Sequence, residues 1–507
     1  MKQGVLPFQY EQEKTSTGMT ALGGLPAYLD LAHAAGLSKA VQRHVRLREG
    51  RQGWSDSQVI NSLVLLNLAG GDAVDDLRVL EKDEGFCGIL RRAETYGMRR
   101  REGRATERRW RTERRRTVPS PSAVFRYLAG FHDESQEDRR QAHTAFIPAA
   151  NEALRGLGKV NGELVAFVQS RLPQREATLD MDACLVETEK QEALYSYKGY
   201  KAYQPLTTYW AEQDLIVRSE FRDGNVPAGH EQLRVLQEAL EVAPAGVEKV
   251  LMRSDTAGYQ TELLRYCAEG EDDRFGVIEF AVGVDVTPEF KGAVADVAEE
   301  DWQTLEREVE EHKIPTDQQW AEVCFVPNWI GHSKKSPDYR FIAIREPLRQ
   351  VPLPGMEGQL SLPVPAVELD DKAWYKVLGV VTNRELAGDE VIWWYRQRCG
   401  KSEEAHGVMK EDLAGGKLPS GNFGVNAAWW AITVLAFNVN SVMKWLVLGK
   451  EWASKRLKAV RFAFISIPGR VVRRAGTLII RLTRDHPSYE VLLGARRRIL
   501  ALAHGPP

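Results

Sequence analysis

Cysteine is scarce in this chain. Five residues, Cys87, Cys184, Cys267, Cys324 and Cys399, are scattered over 507 positions with no CxxC spacing, which excludes a disulfide framework and a cysteine-based zinc site. The ten histidines fall at no metal-ligand spacing, and His406 reads as a surface or helix-packing residue. The opening MKQGVLPFQY has no apolar signal-peptide core. The longest apolar run, residues 427–437, is shorter than the ~20 residues a helix needs to cross a bilayer. No internal repeat or low-complexity tract interrupts the chain. Excess charge is missing too: the formal net charge is −2, so no overall basic field marks a polyanionic partner. The expectation is a soluble protein of a reducing cytoplasm with no membrane association.

What is present is unevenly distributed. Hydrophobic residues make up 43% of the chain, enough for a sizeable core, and the length suggests roughly two to four domains. Residues 99–116 read RRREGRATERRWRTERRR, ten arginines against three glutamates. Arginine's planar fork suits phosphate, and each arginine laid on a DNA backbone displaces a condensed counterion. Arg108, Arg109, Arg114 and Arg115 are therefore candidate DNA contacts; the competing reading is a solvated linker. The compensating acid lies elsewhere, notably in residues 296–311 (DVAEEDWQTLEREVEE), which read as an exposed helix.

Residues 1–117 have helical periodicity and end in the arginine segment, consistent with a small DNA-binding module. Residues 118–177 continue as a helical linker opened by VPSPS at 118–122. From 178 to 282 strands alternate with helices, with a hairpin at 212–214. Between 283 and 385 short β segments and proline-rich breaks take over, a β-rich insertion. Residues 386–450 return to helix, with Trp429, Trp430, Leu435 and Phe437 as core. Residues 451–507 read as basic helices, including RVVRR at 470–474 and ARRRIL at 495–500. The fold class is α/β with helical regions at both ends.

Three carboxylates stand out by their local contexts. Alternation through residues 178–186 (TLDMDACLV) sets Leu179, Met181, Ala183 and Leu185 on one face of a strand and Asp180 and Asp182 on the other. A second apolar strand runs from Val250 through Arg253 and stops at Asp255, followed by Gly258 and a helical stretch over 259–267. Glu403 lies far downstream, in WWYRQRCGKSEEAHGVMK at 393–410. An all-oxygen donor set suits Mg²⁺, which shares its coordination with waters and substrate phosphates. Two such ions activate an attacking hydroxyl and stabilise the leaving oxygen in phosphoryl transfer. Taken singly, each acid also has an ordinary reading, the aspartates as caps at strand ends and Glu403 as a solvated helix carboxylate.

The order of the acids, the β insertion before the last of them, and the run Tyr395, Arg398, Glu403, Lys410 resemble bacterial insertion-sequence transposases of the DDE type. LDMDA (179–183), RSDTAGY (253–259), KEDL (410–413) and FGVN (423–426) are similar to their group-one branch, distantly akin to piggyBac elements. The resemblance spans residues 178–444 and, more loosely, both ends. It implies an RNase H-like catalytic domain interrupted by the insertion, and two Mg²⁺ ions, replaceable by Mn²⁺, held by Asp182, Asp255 and Glu403. It also implies double-stranded DNA partners (element ends and target), joining of a freed 3′-hydroxyl to the target, and a homodimer in the DNA complex. The place of action is then a bacterial cytoplasm, at the nucleoid.

Asp182 matches the family's first acid; Cys184 replaces the threonine that many members carry in D-x-T, and Asp180 is the nearby decoy. Asp255 matches the second acid, and the adjacent Arg253 is a contact for DNA phosphate or for a core carboxylate. The third motif departs from pattern. Its glutamate commonly stands four positions after the arginine, whereas Glu403 stands five after Arg398 and Ser402 fills the four-position slot.

Helix geometry adds a second criterion. Positions seven apart share a face at 3.6 residues per turn, so Arg396, Glu403 and Lys410 form one stripe and the irregularity belongs upstream, near Cys399 and Gly400. Arg396 and Arg398 are joint candidates for a phosphate contact, and Lys410 is a further one. Tyr395 is either a contact to a DNA sugar or phosphate or a core residue beside Trp393 and Trp394. Trp302, Trp320 and Trp329 lie in the insertion, where a base-stacking wedge is one role and core packing the other. Two further readings share parts of this pattern: an RNase H-like nuclease or junction resolvase, which has the acids without strand transfer, and a catalytically silent transposase-derived DNA-binding protein.

Overall fold

The two stretches leading to Asp182 and Asp255 pair in parallel at the centre of one sheet. The computed structural model describes residues 17–48, 53–104, 116–141, 144–310, 312–327, 339–348, 366–368 and 374–504; Arg108, Arg109, Arg114, Arg115 and Trp329 lie outside them. The chain divides into two units, one of residues 1–172, 186–203 and 407–507, the other of 173–185 and 204–406.

The second unit runs β1 (Glu176–Ala183), β2 (Leu206–Trp210), β3 (Leu215–Glu220), α1 (Gln232–Val242), β4 (Lys249–Ser254), α2 (Thr261–Glu269), β5 (Glu279–Val284) and α3 (Pro288–Ala295). It continues with β6 (Gln303–Val309), β7 (His312–Val323), β8 (Arg340–Pro347), β9 (Ala366–Glu368), β10 (Trp374–Thr382) and α4 (Gly388–Gly407). All ten strands share one sheet, ordered β3-β2-β1-β4-β5-β10-β8-β7-β6 with β9 on β10. β1, β4 and β5 are parallel, which the crossovers through α1 and α2 allow. The remaining pairings are antiparallel. Val250, Leu251 and Met252 on β4 and Phe280, Ala281 and Val282 on β5 are buried on both faces, as central parallel strands require. The β2–β3 hairpin turns over residues 211–214, with Asp214 at φ 53°.

The β insertion extends this sheet. β10 pairs with β5 from Gly379↔Val284 to Thr382↔Ala281 and carries β8, β7 and β6 outward. Residues 296–311 are expected as an exposed helix; of them Glu299–Asp301 form a 3₁₀ turn and Gln303–Val309 form β6. A charged edge strand and a solvated helix have the same composition, and charge on an edge protects it from further pairing. Ala281, Leu305, Trp320, Ile342, Ile344, Val380, Val391 and Ile392 form a core on which Trp393, Trp394 and Tyr395 pack. Trp302 and Trp320 are both buried, the core alternative of the two. A Cβ on Gly388 would lie 2.1 Å from the Trp320 ring, so only glycine lets α4 begin this close to the insertion.

The first unit is built on the helix Phe423–Val442, buried along nearly all its length and packed against Asp56–Ala69, Pro121–Ala129 and Glu152–Arg171. The span Phe423–Leu448 is long and apolar enough to cross a membrane by composition; here it is a core helix carrying partnered polar groups. Tyr28 donates to Asn440 Oδ1 at 2.8 Å and Asn438 to Asn161 Oδ1 at 2.7 Å. Residues 470–474, expected as basic helix, form a strand (Gly469–Arg474) paired with Thr477–Arg481. Ala475 and Gly476, at φ 47° and 81°, supply the two left-handed residues of a tight hairpin turn, and Val471, Val472, Ile479 and Ile480 favour extended backbone.

Candidate active site

Parallel pairing sets the two aspartates side by side. The β1–β4 register runs Asp180↔Arg253, Met181↔Ser254, and its next step brings Asp182 level with Asp255. Beneath them Arg253 and Asp180 close a buried bidentate pair, Nε to Oδ1 at 2.6 Å and Nη2 to Oδ2 at 2.9 Å. Arg253 Nη1 donates to the Trp394 carbonyl at 2.6 Å, tying α4 to the sheet. Of its two candidate partners Arg253 thus meets the core carboxylate. With 2% of its side chain exposed it is out of reach of a phosphate, which corrects its place among the DNA contacts. Burial pushes the Asp180 carboxyl up, and Arg253 pulls against that shift.

Asp255 caps the 3₁₀ turn Thr256–Gly258, accepting from Ala257 N–H at 3.0 Å. Burial first, and the Asp182 charge second, hold its carboxyl above the ordinary carboxylate range, with Arg398 opposing. Asp182 meets α4: Ser402 Oγ donates to its Oδ2 at 3.1 Å, Arg398 Nη1 stands 3.4 Å away and His406 Nδ1 3.8 Å. Residues 398, 402 and 406 are successive turns of one helical face. Burial disfavours the charged Arg398 guanidinium, but Asp182 and Asp255 are among the groups that hold its protonation above the ordinary value.

Glu403 and Glu404 are both exposed, and helix geometry separates them. Lys401 Nζ reaches the Ala211 carbonyl, at the end of β2, at 3.5 Å. Neighbours on a helix point about 100° apart, so Lys401 and Glu403 leave the face that meets Asp182 on opposite sides. Glu404 points further round; its charge contributes, after burial, Asp214 and Asp180, to raising the Tyr209 hydroxyl on β2. Among the described residues no three histidine, cysteine or acidic side chains converge closely enough to hold an ion. The structure therefore brings Asp182 and Asp255 together and leaves Glu403 exposed on α4, outside any such cluster among the described residues. The donor chemistry of the aspartate pair fits a hard divalent cation: both supply oxygen, and their mutual repulsion is what a cation relieves.

Arg396 turns away from the acids, Nη2 donating to Gln318 Oε1 on β7 at 2.6 Å. Tyr395 packs on the sheet, where a Cβ on Gly283 would stand 2.8 Å from its hydroxyl, and Arg398 lies 5.7 Å from its ring centre. α4 is continuous through Cys399 and Gly400; the irregularity expected there falls downstream, in the π-helical turn Val408–Asp412. Lys410 belongs to that turn, so no single α-helical stripe reaches it. The sequence reading missed the place of three residues. His406, read as a surface or helix-packing residue, is buried. Ser402 and His406 face Asp182, and Asp285, just past β5, has its carboxyl raised by burial and then by the Asp255 charge. Asp285 carried a legible signal, since EFAVGV is a second apolar strand stopping near an acid.

A family model described as transposase DDE domain group 1 matches residues 11–504. Among curated proteins none matches. Among solved structures the chain is similar to the cryo-EM structure of the piggyBac transposase synaptic complex with hairpin DNA, with a TM-score of 0.40 and 9% identity, over 86% of this chain and 76% of that one.

Proposed function

We propose, from the premise that the chain belongs to the transposase DDE domain group 1 family, that it binds the terminal inverted repeats of a mobile element, cuts at their ends and joins the freed 3′-hydroxyl to target DNA. The observation that carries the reading is the pairing of Asp182 with Asp255 at the ends of adjacent parallel strands, with α4 across them. The strand order β3-β2-β1-β4-β5, antiparallel in its first half and parallel in its second, supports an RNase H-like core. Residues 1–117, ending in the arginine segment, are the DNA-binding region in this account, and the DNA-bound form is a homodimer.

Asp182, Asp255 and Glu403 are the residues that would hold Mg²⁺ or Mn²⁺. Two ions bound there supply charge neutralisation at the scissile phosphate and an acidified attacking hydroxyl. The chain's own groups prepare that site. Ser402 and His406 fix the orientation of Asp182, and the Asp180–Arg253 pair holds α4 in place through the Trp394 carbonyl. Arg398, beside both aspartates, presents a fork of donors to a phosphate oxygen once DNA arrives. Glu403, exposed on α4, is the third carboxylate of this account.

The test is an assay with full-length protein, a duplex carrying candidate end sequences and a supercoiled target plasmid in Mg²⁺. Wild type should yield joined product, while Asp182→Asn and Asp255→Asn should bind the duplex without cutting or joining. Cutting without joining would replace the transposase reading with a nuclease. Wild-type activity in either variant would remove these acids from the chemistry.

A further inference from the structure

A cavity of about 510 Å³ opens in the first unit, lined by Arg48, Gly53, Trp54, Arg116, Ser120, Ala123 and Arg126. Three of its seven walls are guanidinium groups. Among the described residues Arg48 lies over the Tyr127 ring at 5.6 Å, while Arg116 Nε and Arg126 Nε donate to the backbone carbonyls of Val118 and Ser122, each at 3.3 Å. Arg116 Nη2 is buried with no hydrogen-bond partner among the described residues. Asp56 is the nearest acid to Arg48 among the described residues: burial holds its carboxyl above the ordinary value, and the Tyr127 hydroxyl, the Arg48 and Leu47 backbone and the Arg48 charge oppose that shift. Gly53, at φ 83°, leaves the room Arg48 needs, since a Cβ there would lie 3.0 Å from Arg48 Nη1. Ser120 Oγ already accepts from Ala123 N–H, which leaves its own O–H to donate. The helix it caps, Pro121–Ala129, adds the positive end of its dipole.

Three arginines converging with a hydroxyl donor, against one nearby acid among the described residues, suit an anion, and guanidinium forks match phosphate oxygens in pairs. The volume exceeds what a bare phosphate fills and lies within the ~300–1,000 Å³ of small-ligand pockets. Trp54 supplies the aromatic face on which a base stacks. Arg116 is also the last residue of the arginine-rich segment. We infer that the cavity is a nucleotide pocket for a DNA strand, its phosphodiester held by Arg48, Arg116 and Arg126 and its base laid on Trp54. This rests on the DNA reading above only for the identity of the polymer; none of the pocket's residues is among the carboxylates assigned to the chemistry.

The test uses full-length wild type, Arg48→Gln/Arg126→Gln, Arg48→Lys/Arg126→Lys and, as a surface control, Arg265→Gln. Fluorescence anisotropy with an end-sequence duplex and with an unrelated duplex of equal length is measured over a salt series, and circular dichroism checks that each variant is folded. The glutamine pair should weaken binding of both duplexes about tenfold and flatten the slope of log affinity against log salt by about one unit. The lysine pair should recover much of both, and the control should match wild type. Unchanged affinity and slope in a folded glutamine pair, with wild type still binding DNA, would overturn the pocket and leave the DNA reading intact. Thermal stabilisation of wild type by inorganic phosphate, lost in the glutamine pair, together with equal DNA binding by both, would assign the cavity to free phosphate and overturn the strand assignment.

Discussion

Replacing Arg253 with methionine separates a structural role for this arginine from a DNA contact. Asp180 has no exposed surface and Arg253 only 2% of its side chain, so the substitution leaves a carboxylate buried without its counter-charge. Breaking a buried ion pair from one side costs about 3–5 kcal/mol. Loss of the donor to the Trp394 carbonyl adds about 1–3 kcal/mol for an orphaned buried acceptor. Arg253→Met should therefore lower unfolding free energy by at least ~3 kcal/mol in urea titrations and loosen α4. Removing both charges, as in Asp180→Leu/Arg253→Met, should recover most of the loss, because apolar replacement of a buried pair is near neutral. The deficit also has a pH signature. Without Arg253 the folded Asp180 holds its proton more tightly than the unfolded chain does, so its penalty vanishes below the unfolded value and grows as pH rises through the folded one. A single variant of wild-type stability with weaker, less salt-dependent DNA binding would refute this and return Arg253 to the DNA surface.

Glu403→Gln should reduce cleavage to background while Glu404→Gln retains most of it, measured on end-sequence duplex in Mg²⁺. Asp255→Asn should melt at a higher temperature than wild type near neutral pH without divalent ions. Its folded carboxyl titrates above the unfolded one, so its favourable contribution is present at low pH and lost as pH rises; asparagine keeps the cap, and the advantage should shrink toward pH 4. Replacing Arg108, Arg109, Arg114 and Arg115 with glutamine should flatten the salt dependence of DNA binding by about one unit per lost phosphate contact. An unaltered slope there would favour the solvated linker.

Legibility followed from how local each signal was. The strand before Asp255 was readable because a central parallel strand is apolar on both faces and its end is marked by a polar stop. Asp180 and Asp182 could not be told apart by alternation, which puts them on one face; the motif resemblance picked Asp182, and the partner register, which spends Arg253 on Asp180, gives the physical distinction. β6 and the strand at 470–474 were misread for one reason: charged edge strands and solvated helices draw on the same residues, and what decides is pairing with segments far away in sequence. For residues 470–474 the Ala475-Gly476 turn was nevertheless a local clue. On α4 the departure in spacing was visible at Ser402, but its use was not, because a hydroxyl meets a carboxylate 220 residues away only once the sheet exists. The π-helical turn at Val408–Asp412 has no signature in side-chain pattern, so a stripe counted through it misleads.

Manganese located by anomalous scattering in crystals of the protein with end-sequence DNA tests the central claim most directly. The account predicts two peaks about 3.5–4 Å apart within reach of Asp182, Asp255 and Glu403, with Arg398 moved from Asp182 onto a phosphate oxygen. Manganese coordinated by Glu404 with Glu403 in solvent, or no manganese on the aspartate pair, would contradict it.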